Sequence, residues 1–286
     1  MQSTTFKKNA GQVYLSLVPF FATFFAFATG HISYKIYLPI WIINVLLMIM
    51  AAWFLGAHVI KNNDTEKKQL AIVGCFLLAP TLLTSIFGGM GVPPGTVKGW
   101  IETANEQQIR FSFLIISGIL IVFGFTLLRE KLKQTEGNFY AQLGFASIII
   151  AVPILIYNMS FWHSFVLETY KIKLASVSQK TPEWVLPIVN QVWILSVVEV
   201  CLTYIAIIAF VAALKSANWF RKVPSNIYII ISVLAIACII LYPIYPGFEV
   251  FSSFPYYPFM IPAIPFFMIY FIGINLLRRA GTNEKY

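Results

Sequence analysis

Long unbroken runs of apolar residues fill most of the chain, and short polar stretches separate them. A bilayer core of about 30 Å takes about 20 helical residues to cross, and a backbone N–H or C=O left unpaired in lipid costs several kcal/mol. Each run long enough to cross is therefore predicted to be a helix. Eight qualify, near 11–30, 36–60, 69–92, 110–129, 139–159, 187–214, 225–245 and 256–277. Periodicity adds little, because the interiors are apolar all round. Pro19, Pro80, Pro153, Pro262 and Pro265 fall inside runs, where neighbouring helices can satisfy the carbonyls that proline frees. The predicted fold class is all-α, a polytopic integral membrane protein with about eight transmembrane helices.

The first run follows Lys7 and Lys8 and could be read as a cleaved signal peptide. Its apolar stretch exceeds the usual 7 to 15 residues of such a segment, however, and no A-x-A site follows, so it is expected to be the first helix.

Composition strengthens this picture. Of 286 residues, 59% are hydrophobic and 11% charged, against about 45 to 50% and about 25% in soluble domains. A soluble globular domain and a disordered chain are both excluded. Cys75, Cys201 and Cys238 all lie inside apolar runs, which argues against a disulfide scaffold.

Charge sets the expected orientation. Fourteen of the 20 Lys and Arg fall on the side that holds the termini and the even loops, and six on the other. Cytoplasmic loops accumulate positive charge, so both termini are predicted to be cytoplasmic, in a cell inner (plasma) membrane. The net charge of +9 reflects insertion and anionic headgroups. The expected partner is the bilayer, with no nucleic acid, since no basic-aromatic module appears.

A weak internal repeat suggests two four-helix units, 1–136 and 137–286, within one membrane domain. Leu38-Pro39-Ile40 and Leu186-Pro187-Ile188 open the second and sixth runs 148 residues apart. Gly124 with Leu127-Leu128-Arg129, and Gly273 with Leu276-Leu277-Arg278, close the fourth and eighth 149 apart. Proline pairs end the third run (Pro93, Pro94) and the seventh (Pro243, Pro246). Four crossings return the chain to its starting side, so such a repeat would be parallel.

The loops expected to face outward are long and aromatic: 93–109, 160–186 and 243–258. An aromatic belt with an interfacial helix near 161–175 is the plainer reading. The functional one is a pocket or lid for a lipid or small hydrophobic ligand, which would show as a cavity beneath the last two of these loops.

Ionisable residues within spans are costly and mark candidate sites. Glu199, about a dozen residues into the sixth run, is the only acid deep in any span, with Ser196, Thr203 and Ala206 near its face. The stripe serves either to bond a neighbouring helix or to line a solute, proton or ion path. Asn44, Ala51 and His58, seven apart, form a second stripe in the second run. His31 and His163 lie near outward ends, but no second His at helical spacing supports a metal or haem, and no cofactor is expected. Small residues at four-residue spacing, such as Ala22, Ala26 and Gly30, are expected to serve close helix packing.

A Walker-type glycine loop, H-E-x-x-H, G-x-S-x-G, C-x-x-C and D-x-x-x-D are absent from the sequence. No Lys sits mid-span for a retinal Schiff base, and the paired intrahelical His of haem A synthases are missing. The leading expectation is a non-enzymatic protein that binds or transports a small or lipid-like solute, with Glu199 near its polar path. Its rivals are an outward-facing enzyme using Glu102, Glu106, His163 or Glu168, and a non-catalytic membrane subunit or scaffold.

Overall fold

The computed structural model describes residues 2–175, 182–241, 259–260 and 263–282. Every regular element among them is a helix. The major helices are α1 (Gln2–Ala28), α2 (Tyr34–Leu55), α3 (Thr65–Thr84), α6 (Ala104–Leu132), α7 (Asn138–Ser160), α9 (Val185–Ser216), α10 (Lys222–Leu241) and α11 (Ala263–Ala280). Between them lie the short α4 (Phe87–Met90), α5 (Val97–Glu102) and α8 (Val166–Ala175). Seven helices among the described residues are long and apolar enough to cross a membrane. Residues 243–258, with the Pro243 and Pro246 landmarks, and Pro262 lie outside the described residues.

The helices begin and end for identifiable reasons. Asp64, the only Asp in the chain, caps α3 by accepting from the Lys67 N–H at 3.1 Å, which satisfies one of the free donors of the first turn. Thr96 does the same for α5 through the Gly99 N–H. Pro19, Pro39, Pro80 and Pro153 sit inside α1, α2, α3 and α7 without ending them. The expected second span, 36–60, is shorter than predicted: α2 stops at Leu55, and Ala57–Lys61 turns as a separate 3-10 segment. The expected interfacial helix near 161–175 is not a separate element. A π turn over Phe161–Phe165 joins α7 to α8, so 138–175 runs as 38 consecutive helical residues. At about 1.5 Å per residue this is about 57 Å, well beyond a bilayer core.

Packing follows from small residues at crossings. A Cβ on Gly144 would press on the Phe210 ring at 2.7 Å and the Ala206 carbonyl at 3.2 Å, so α7 and α9 approach closely. α3 lies between α6 and α11. The Gly74 and Gly273 backbones meet there, which ties the last helix of the chain into its first half. Tyr204, Tyr270, Phe125 and Phe210 are fully buried, and the Phe125 and Phe210 rings stack at 4.3 Å. Tyr270 donates to the Leu15 carbonyl at 2.7 Å, which builds α1 into the same core. By contrast, only 22% of the apolar windows of α2 and α10 is buried. Ile40, Ile43, Leu46, Ile230 and Leu234 point outward, an exterior compatible with a multi-pass membrane protein.

The two ends of the bundle differ. At the end where α1 begins, called proximal, Lys7 lies over Phe54, Lys61 over Trp53, Arg129 over Phe145 and Arg279 over Trp219. Lys8 donates to the Gly281 carbonyl just past α11, where a cation meets the negative end of the helix dipole. At the opposite, distal end the described aromatic residues around 100–111 and 161–170 pack on one another. Trp100 of α5, 6% exposed, stacks at 6.0 Å on both Phe111 and Trp162, and Tyr170 meets its edge. These rings form a cap that docks α5 on α8.

Candidate functional site

Glu199 lies on the face of α9 that carries Thr203, Ala206 and Phe210, and it is 5% exposed. The Thr203 hydroxyl sits 3.0 Å from the Glu199 carbonyl oxygen and 3.2 Å from its Oε1. Ser196 donates instead to its own helix, to Val192 at 2.9 Å. The stripe thus exists, and these hydrogen bonds stay within α9. Burial with no cationic partner among the described residues fits a carboxyl group that helps position a helix, because each hydroxyl closes a bond with the turn before it.

The second stripe is divided. Asn44 accepts from the Tyr14 hydroxyl at 2.7 Å and donates to Ser85 Oγ at 3.2 Å, so one amide clasps α1, α2 and the end of α3. His58 lies outside α2, in the 3-10 turn, and donates from Nδ1 to the Trp53 carbonyl at 2.8 Å. It is exposed and does not continue the face of Asn44 and Ala51. The reason is the end of α2 at Leu55, which removes the 100° per residue on which that alignment depends.

The structure brings a different set of residues together at the distal end. Gly91, at φ 68°, adopts a left-handed conformation that few other residues tolerate, and a Cβ there would meet the Gly30 carbonyl carbon at 2.6 Å. That contact, with the Ile32 N–H donating to Gly89 at 3.1 Å, holds the segment after α1 against the one after α4. It places His31 beside α6, where His31 Nε2 and Glu106 Oε2 are 2.8 Å apart. Tyr37 of α2 lies beside the same carboxylate. One turn further along α6, Arg110 donates to the Gly91 carbonyl at 2.7 Å, and its guanidinium covers the Phe87 ring at 4.8 Å. Arg110 is 6% exposed, and its Nε has no hydrogen-bond partner among the described residues. Gln107, 1% exposed, donates to Thr103 and leaves its Oε1 unpaired.

Around this cluster lies a pocket of about 540 Å³, lined by His31, Tyr34, Tyr37, Leu38, Ile86, Met90, the residues 101–106, and Ile109. Its floor is a small satellite core of Tyr37, Ile86 and Met90. One turn towards the proximal end, the Trp41 and Phe113 rings meet at 6.0 Å and bridge α2 and α6. Trp41 is fixed by donating at 3.0 Å to the Leu82 carbonyl near the end of α3. This cavity lies beneath the two loops nearest the N-terminus; residues 176–181 and 243–258 of the last two outward loops lie outside the described residues.

The other outward residues do not join the cluster. Glu102 lines the pocket and pairs with Lys98 at 3.8 Å. His163 contacts Ser164 at 2.7 Å, and Glu168 binds Lys171 at 2.7 Å on α8. Among the described residues no three His, Cys, Asp or Glu side chains converge as a metal site. Arg110 and Tyr37 were legible only as a loop cation and a span aromatic. The spacing of Glu106 and Arg110 by four on one helix was the available signal. His31 meets Glu106 only through the Gly91 contact, which no local pattern shows. Comparison of the chain with protein-family models, curated proteins and solved structures finds no match.

Proposed function

We propose that this chain is an integral membrane protein that binds a small or lipid-like solute in the distal pocket. The supporting observation is a cavity of about 540 Å³ in which Tyr37, Leu38, Ile86, Met90 and Ile109 share the lining with the His31–Glu106 pair. Small-molecule sites combine these two features, a mostly apolar concavity and a few convergent polar groups. Transport by way of Glu199 would need a continuous polar route. The sealed Glu199–Thr203 pair favours the second reading, in which the α9 stripe is structural and the chain serves as a membrane subunit.

The pocket reading predicts that filling the cavity removes binding. Ile109→Trp places a ring into the space from a side chain that is 43% exposed, so the fold should tolerate it. Solutes that raise the melting temperature of the native protein in detergent micelles should lose that effect in the variant. A panel that shifts both proteins equally would reject the site.

We further infer eight crossings, with α11 the last, arranged as two parallel four-helix units in an inner membrane. Both termini are then cytoplasmic, because 14 of 20 Lys and Arg share their side. Reporter fusions after Lys133 and Arg221 should read cytoplasmic, and one after Lys171 external. The reversed pattern would place the pocket on the cytoplasmic face.

A further inference from the structure

We propose that the distal pocket takes an ammonium-bearing amphiphile, its head against Glu106 and its chain along Leu38 and Ile109. This deepens the solute-binding reading and rests on it. The lining side chains that can carry charge near neutral pH are His31, Glu102 and Glu106, and no Lys or Arg is among them. Arg110, four residues from Glu106 on α6, feels the Glu106 charge, and its hydrogen bond and ring contact go to the Gly91 carbonyl and the Phe87 face. An anionic head entering the pocket would therefore face the Glu106 and Glu102 carboxylates, the latter paired at 3.8 Å with the exposed Lys98.

Glu106 is built to receive a donor. Its side chain is 18% exposed, and one oxygen contacts His31 at 2.8 Å. An ionised carboxylate offers about four acceptor positions, so His31 and Tyr37 leave room for an N–H of the ligand. The Tyr34 ring in the lining adds a face on which an ammonium group can rest. The apolar tail is provided for separately. Leu38 on α2 and Ile109 on α6 are 39% and 43% exposed, so the pocket continues onto apolar surface on both helices. A polar head with no chain would leave the exposed faces of Leu38 and Ile109 uncovered, and a bare hydrocarbon would leave the remaining acceptor positions of Glu106 unfilled.

Two sources share this chemistry, a free long-chain amine and the headgroup of an ethanolamine lipid. The test uses three probes with one tail, octylamine, octanol and octanoate, titrated onto the full chain in maltoside micelles and read as melting-temperature shifts. Native protein should bind octylamine about tenfold or more tightly than octanoate. Glu106→Gln should remove that preference and leave octanol unchanged, and Ile109→Trp should abolish all three responses. Adding phosphatidylethanolamine separates the sources: competition with octylamine assigns the lipid headgroup, and no competition assigns the free amine. Octanoate binding as tightly as octylamine to the native protein would overturn the ammonium assignment, whether or not Glu106→Gln folds. The solute site itself would still stand if Ile109→Trp abolished both. No response to any probe, in native protein and Ile109→Trp alike, would overturn both.

Discussion

Gly56→Val is expected to unfold the proximal end of the bundle, whereas Gly95→Ala should leave stability unchanged. The backbone conformation is not the cause, because Gly56 has φ 176°, an extended geometry open to any residue. Space is the cause. A Cβ on Gly56 would run into the Leu277 carbonyl group and come within 3.1 Å of the Gly281 nitrogen. A Cβ on Gly281 would in turn meet the Leu55 carbonyl and approach the Gly56 Cα to 2.9 Å. Both obstacles are main chain and cannot rotate away as a side-chain tip would. α2 and α11 must therefore separate, at the upper end of the about 1–3 kcal/mol that overpacking costs, or beyond it. A Cβ on Gly95 meets nothing within 4 Å. Thermal unfolding in detergent checks the pair, and equal melting temperatures would show that the α2–α11 approach is looser than described.

Glu199 carries the second large effect. Glu199→Gln should melt close to the native temperature, because Gln keeps an acceptor for the Thr203 hydroxyl in nearly the same shape. Glu199→Lys should melt well below it. A lysine at a helix centre costs about 2.5–3.5 kcal/mol on insertion scales, and this position is only 5% exposed, with no carboxylate partner among the described residues. The same Gln variant separates packing from chemistry. If Glu199 cycles a proton or binds a cation, proteoliposomes of the variant lose pH-dependent uptake while the protein stays folded. If it positions α9, uptake and its pH dependence are unchanged. That second outcome would leave the distal pocket as the site to pursue.

Arg110, Tyr37 and His31 show why the site was harder to read than the helices. Each sits in a different segment, and none has a distinctive neighbour in sequence. Their meeting depends on two left-handed glycines, Gly30 and Gly91, whose backbones touch across 61 residues of chain. His58 shows the converse error. Its seven-residue spacing from Ala51 holds only while the helix continues, and α2 stops at Leu55, next to Gly56, against which the Leu277 main chain packs from far along the chain.

The order of long apolar helices was determined by the sequence alone. Chain length against bilayer thickness, and the need to pair every backbone group in lipid, leave no other regular structure for such runs. The place of Glu199 on one stripe with Thr203 was likewise readable, since it follows from the helical repeat. Which helices touch was decided only in the tertiary structure. In a chain that is apolar all round, no hydrophobic face points to its partner. Contacts are selected instead by close approach at small residues such as Gly74, Gly144 and Gly273. That selection puts α11 against α3, closes Gly91 on Gly30, and so makes one pocket out of His31, Tyr37 and Glu106.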